Sequence, residues 1–252
     1  LKNSKIYDII IIERIRKESS EMLDLEKELL KRTFTSIKEV LDDYGFPNLY
    51  TIRKKDMENW YKDTITNINF EDVLDSDSGQ GVLIRIKDGY VRVEYGASKV
   101  VFMSDKVDNW VFKVPYKDYE SNYCQMEVEI YENAEREGVE EFFAPCYFLE
   151  NFDGAAIYVM ARAEVSFDRL YSDLYERFSS EGRAENEIED MLIDIEDSDE
   201  YVGWLFPYYS DYDSFEKFVE FLRNSNINDL HSGNIGYIGD NVVLIDYSGY
   251  FG

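Results

Sequence analysis

An α+β fold is what this sequence predicts: an antiparallel sheet with packed helices, a helical module ahead of it and a helical segment behind. Three observations carry that reading. Apolar residues recur at helical spacing through about the first 70 residues. Short β-rich runs separated by turn signals take over between residues 82 and 160. Beyond residue 163 the pattern is helical again, and strongly acidic. The expected division is a helical module at 1–75, a sheet-and-helix lobe at 76–162 and a small helical lobe at 163–252.

In the first module, Met22, Leu25, Leu29, Phe34, Ile37, Leu41 and Tyr44 predict an amphipathic helix over residues 18–44. Gly45 and Pro47 follow as helix-stopping residues. A shorter helical patch precedes it at Ile6, Ile9, Ile10 and Ile15, and another follows at Met57, Trp60, Tyr61, Thr64 and Ile65. The polar run 75–81 marks the end of the module. Strands are predicted at 82–86 and 90–95, joined by the turn Lys87-Asp88-Gly89, and then at 99–103 and 110–114. A helix at 118–137 carries Tyr123, Met126, Ile130 and Ala134 on one face and stops at Gly138. Two further strands, 146–149 and 156–160, flank the turn at 151–154. The stretch 181–213 holds 12 acidic residues and one base, which reads as a solvated helical face. Asp213 is a candidate N-cap for a helix with Phe215, Phe218, Val219 and Leu222 on one face. A hairpin at 235–245 turns at Gly239-Asp240-Asn241 and ends at Asp246.

Composition narrows the function. The 252 residues carry a net charge of −26, distributed unevenly. Residues 1–62 hold 13 basic and 12 acidic side chains, a net of +1, so the remaining 190 carry −27. Such a surface repels phosphate backbones, which argues against nucleic acid and in favour of basic partners. Ile9 to Ile12 is the longest apolar run, far too short to span a bilayer, and no signal peptide is visible. Cys124 and Cys146 form neither a disulfide framework nor a metal-spaced cluster; they read as buried thiols of a cytoplasmic protein.

The chemistry concentrates near the carboxy terminus. Asp229 and Asn234 lie five residues apart on a loop after a helix, and the hairpin that follows delivers Asp246. A hairpin folds back on itself, so Asn234 and Asp246 come together at its open end. A carboxylate and an amide oxygen there suit a hard cation.

The run Asp229-Leu230-His231-Ser232-Gly233-Asn234, followed by Val243-Leu244-Ile245-Asp246, resembles the catalytic and metal loops of the protein-kinase-like superfamily, in their aminoglycoside-phosphotransferase form. A closer resemblance is to the early serine/threonine protein kinases of short-tailed coliphages. It adds the acidic segment 197–200, the pair Gly203-Trp204 and the aromatic helix at 215–222. The resemblance covers about residues 82–252. It implies a protein-kinase-like two-lobe fold. Six residues follow Asp246, so the expectation is a shortened C-lobe.

The resemblance also implies ATP and Mg²⁺ as cofactors and assigns the parts. Lys113, mid-strand, contacts the α- and β-phosphates and is fixed by Glu127, with Glu129 the second choice of partner. Gly96, Ala97 and Ser98 form the phosphate-covering loop, with one glycine where typical kinases have three. Met160 and Arg162 border the adenine site at a hinge of residues 161–164. Asp229 orients the attacking hydroxyl, Asn234 and Asp246 hold Mg²⁺, and His231 structures the loop. Two departures are Ile227-Asn228 before the catalytic aspartate and Tyr247-Ser248-Gly249 after Asp246. The expected activity is an ATP- and Mg²⁺-dependent serine/threonine protein kinase of phage type acting on a protein substrate, a basic one by charge. The alternatives are a pseudokinase serving as a binding module and a small-molecule phosphotransferase of the aminoglycoside or choline type.

Overall fold

The computed structural model describes residues 24–67, 73–75, 81–87, 89–119, 121–185, 188 and 212–248. The patch at 6–15, Met22, the polar run 76–80, the acidic segment 197–200 and the pair Gly203-Trp204 lie outside the described residues.

Helix α1 runs over residues 24–43. It stops where Gly45 takes φ +65°, with Gly45 N–H donating to Asp42 C=O and Phe46 N–H to Leu41 C=O. Its buried stripe is Leu30, Phe34, Ile37 and Leu41. Leu25 and Leu29, expected on that stripe, are 77% and 51% exposed. They sit about one residue out of phase with the 30/34/37/41 face, and period alone does not fix that phase. Helix α2 (Lys54–Asn67) buries Met57, Trp60 and Thr64.

Seven strands follow: β1 (Val73–Asp75), β2 (Gly81–Ile86), β3 (Gly89–Tyr95), β4 (Lys99–Ser104), β5 (Trp110–Pro115), β6 (Cys146–Phe152) and β7 (Ala155–Ala161). They form one sheet in the order β1-β2-β3-β4-β5-β7-β6, antiparallel throughout. Helix α3 (Tyr123–Glu137) lies in the chain between β5 and β6. It begins at Tyr123 rather than at residue 118, because Asn122 caps it by accepting from Gln125 N–H. It buries Cys124, Glu127, Val128, Tyr131 and Ala134, while Tyr123, Met126 and Ile130 are half-buried at the flank.

Alternation along the strands divides the apolar residues between two layers. On one face Val82, Ile84, Val91, Val93, Phe102 and Phe112 pack against α1 and α2. Phe34 stands at the centre, 5.9 Å from the Phe102 ring and 5.2 Å from the Phe112 ring. The amino-terminal helices therefore share a core with the sheet. The boundary expected at residue 75 falls at the end of β1, which is paired with β2 over Val73–Ile84, Leu74–Leu83 and Asp75–Val82.

The other face supports α3 and the carboxy-terminal elements: α4 (Phe167–Ser180), α5 (Tyr212–Asn224) and the hairpin of β8 (Ile235–Ile238) and β9 (Asn241–Leu244). Two backbone links tie that hairpin down. Ala144 N–H donates to Leu244 C=O at 2.8 Å, and Glu164 and Tyr237 exchange bonds of 2.8 and 2.9 Å. Between them Gly236 allows close approach: a Cβ there would stand 2.8 Å from the Ala163 Cβ. The hairpin is thus held against the segments that precede β6 and follow β7, and these contacts position the site. The fold is mixed α+β as expected, and among the described residues no helix is long and apolar enough to cross a membrane.

Candidate functional site

Cross-strand register decides which side chains share the sheet's site-facing side. Val101 pairs with Lys113 and Met103 with Val111, while Lys99 opposes Pro115. Lys99, Val101 and Met103 therefore point the same way as Val111 and Lys113. On β3, Arg92 and Glu94 pair with Met103 and Val101 and join the same face. A cavity of about 350 Å³ lies over this face. Its wall includes Lys99, Lys113, Met160, Arg162, Asn234 and Asp246.

The hairpin brings the last two together. Ile235 pairs with Leu244, and Ile245 N–H donates to Asn234 C=O at 3.0 Å. Asn234 Nδ2 donates to the Asp229 backbone oxygen at 2.9 Å, which orients the amide and leaves Oδ1 as its remaining acceptor. Tyr247 anchors the segment on the other side of Asp246. Its ring packs 5.0 Å from Phe143, and its hydroxyl donates to Ala144 C=O at 2.8 Å. Tyr247→Phe keeps the ring and leaves that buried carbonyl without its donor. Chemical denaturation should register a loss of about 1–3 kcal/mol.

Glu127 is fully buried and lies between two lysines. Its Oε2 accepts from Lys113 Nζ at 2.9 Å and its Oε1 from Lys99 Nζ at 2.7 Å. Lys99 also donates to Asp246 Oδ1 at 3.0 Å. Lys113 lies 3.0 Å from Met160 Sδ and 3.4 Å from Ile245 C=O. Two ammonium groups and two carboxylates balance, which is what a buried charge cluster requires. Burial opposes the charge on Lys99, but Glu127 and Asp246 outweigh it and hold its pKa well above the ordinary lysine value. Burial likewise opposes the Asp246 carboxylate, and Lys99 and Lys113 outweigh it, so its pKa lies below the usual aspartate value. Both groups are therefore charged at neutral pH. Nearby, burial pushes the Cys124 thiol up to about 12 and raises that of Cys146, so neither supplies a thiolate at neutral pH.

The residues expected in the site divide into two sets. Lys113, Met160, Arg162, Asn234 and Asp246 line one cavity, and Glu127 supports it from beneath. Gly96, Ala97 and Ser98 form the β3–β4 turn and are not in the cavity wall. Gly96 N–H is spent on Lys99 C=O at 3.0 Å, and Ser98 C=O accepts from Tyr116 N–H. Asp229 is also outside the wall; its carboxylate is 3.5 Å from His231 Nε2. His231 Nδ1 accepts from Gly233 N–H at 3.1 Å, so the imidazole shapes the loop. At the linker, Arg162 N–H donates to Asn109 C=O and Glu164 N–H to Tyr237 C=O. Ala163 between them lines the cavity, and its own N–H has no partner among the described residues. Lys99 was missed. The alternation of Lys99, Val101 and Met103 is the signal that would have set it on Lys113's face.

The chemistry of the donor set fits a hard cation shared with an anionic ligand. Asn234 Oδ1 and the Asp246 carboxylate, 37% exposed, are oxygen donors at one end of the cavity wall. Among the described residues no group of three or more His, Cys, Asp or Glu side chains could hold a metal ion by itself. A cation here would need oxygens from its ligand. No family model, curated protein or solved structure matches the chain.

Proposed function

We propose that this chain is an ATP- and Mg²⁺-dependent phosphotransferase of protein-kinase-like, two-lobe build, acting on hydroxyl groups of a protein substrate. The observation that carries the reading is the convergence of Lys113, Asn234 and Asp246 on one cavity, with Glu127 buried beneath it. A second support is the strand order β3-β4-β5-β7-β6 with α3 between β5 and β6 in the chain, followed by a linker and helices. On this reading the sheet and α3 form one lobe and the elements after residue 162 form the other, with the cavity between them.

The parts then act as follows. Ala163 offers a backbone N–H to the base, beside Met160 and Arg162. The Lys99–Glu127–Lys113 cluster presents positive charge to the phosphates. Asn234 and Asp246 are the residues that would hold Mg²⁺, which when bound offsets phosphate charge. Asp229, whose backbone carbonyl accepts from the Asn234 amide, is the carboxylate that would accept a hydroxyl proton. The strongly acidic chain favours a basic protein as acceptor.

The test is direct. Protein incubated with γ-labelled ATP, Mg²⁺ and a basic test protein should label serine or threonine, and EDTA should abolish the labelling. One observation favours a second reading, a pseudokinase that binds nucleotide without transferring phosphate: Asp229 lies outside the cavity wall. Nucleotide binding with no transfer would select that reading, and no nucleotide binding would reject both.

A further inference from the structure

We propose that Lys99, the first residue of β4, is the lysine that contacts the nucleotide's phosphates, and that Lys113 is a positioning residue that holds Glu127. The inference rests on the nucleotide-binding reading above and reverses the assignment that the sequence motif implies.

The first ground is the count of donors. A lysine ammonium has three N–H bonds to give. Lys113 has three acceptors around it: Glu127 Oε2 at 2.9 Å, Met160 Sδ at 3.0 Å and Ile245 C=O at 3.4 Å. Its donors are directed at the protein. Lys99 has two acceptors among the described residues, Glu127 Oε1 at 2.7 Å and Asp246 Oδ1 at 3.0 Å. It retains a donor and lines the cavity.

The second ground is position along the sheet. At the linker end Trp110 pairs with Ala161, beside Arg162 and Ala163. Lys113 is opposite Val101, whereas Lys99 is opposite Pro115, the last residue of β5. Lys99 is therefore farther from the linker than Lys113. A nucleotide with its base at the linker extends its phosphates toward that end.

The third ground is charge. Asp246 is 37% exposed, and it is the carboxylate that a cation would take. Lys99, with its side chain 9% exposed, cannot be left with a half-neutralised environment at low cost. A phosphate oxygen replacing Asp246 at its Nζ keeps the ammonium paired. Lys99 thus stands where phosphate charge would be met, beside Asp246.

The test uses ADP in excess EDTA, so that no metal contributes to affinity. Calorimetric titrations compare the wild-type protein with K99M, K99R and K113M, and a melting curve is recorded for each. Loss of a charge-assisted hydrogen bond predicts that K99M weakens ADP about tenfold or more and that K99R recovers most of the loss. K113M should lower the melting temperature and weaken ADP clearly less than K99M does. If K99M fails to fold, D246N and the charge-balanced pair K99M/D246N replace the comparison, and the pair should bind ADP about tenfold more weakly than D246N. ADP affinity unchanged by loss of Lys99, or reduced at least as much by K113M, would overturn the proposal while leaving the phosphotransferase reading intact. A wild-type protein that binds no ADP would overturn both.

Discussion

Glu127→Ala should destabilise the protein by about 3–5 kcal/mol, as read from urea unfolding. Glu127 is 0% exposed and neutralises Lys99 and Lys113, themselves 7% and 5% exposed. With it gone, two ammonium groups remain in the interior with one partly exposed carboxylate, Asp246, bonded to only one of them. The penalty comes from the uncompensated charges, not from loss of an attractive pair. Two controls separate these. Glu127→Gln keeps the shape and hydrogen-bonding capacity but not the charge, and should fall between wild type and alanine. In a Lys99→Met, Lys113→Met background the alanine change should cost much less, since no buried cation is left to strand. Equal costs in both backgrounds would show that Glu127 acts by packing alone.

Asp246→Asn should reduce phosphate transfer by roughly a hundredfold or more, because a cation that offsets phosphate charge contributes several kcal/mol to the transition state. The fold should survive with reduced stability, since Lys99 loses one of its two carboxylates. Lys99 keeps Glu127 as a partner, Tyr247 keeps its bond to Ala144, and the hairpin closure from Ile245 N–H to Asn234 C=O does not involve the changed side chain. The variant should also lose the enhancement of ATP binding by Mg²⁺. Metal-free ADP, which does not need the carboxylate, should bind at least as well as to wild type. Loss of transfer together with loss of metal-free ADP binding would instead indicate a collapsed site.

Much of this arrangement was legible in the sequence because it is carried by local patterns. Alternating apolar residues and turn signals mark β2 to β7, and the hairpin β8–β9 is announced by Gly239-Asp240-Asn241. From the hairpin alone it follows that Asn234 and Asp246 meet. Glu127 as partner of Lys113 was what the resemblance implied, and the two meet at 2.9 Å. What escaped depends on relations between elements. The start of α3 at Tyr123 is set by the Asn122 cap, which helical periodicity does not register. The core shared by α1, α2 and the sheet depends on which stripe of α1 faces Phe102 and Phe112. A polar run at 75–81 looks like a domain boundary although Val73–Asp75 is already a strand.

Lys99 is the instructive omission. A lysine beside a turn, at the first position of a strand, resembles an ordinary exposed end residue. Its burial depends on the antiparallel register between β4 and β5 and on α3 presenting Glu127 beneath both strands. The turn Gly96-Ala97-Ser98 has the expected place in the strand order but is not in the cavity wall: Gly96 N–H closes the turn on Lys99 C=O, and Ser98 C=O accepts from Tyr116 N–H beyond β5.

Everything proposed for this protein requires one pocket, framed by two lysines on neighbouring strands and by the open end of the last hairpin, to receive a magnesium nucleotide. A crystal structure grown with Mg²⁺ and a non-hydrolysable ATP analogue measures that directly. The expected result is the base against Ala163, the phosphates within hydrogen-bond reach of Lys99, and the metal on Asn234 and Asp246. A nucleotide bound elsewhere, or a structure in which Lys99 and Asp246 remain paired with no ligand between the sheet and the hairpin, would contradict it.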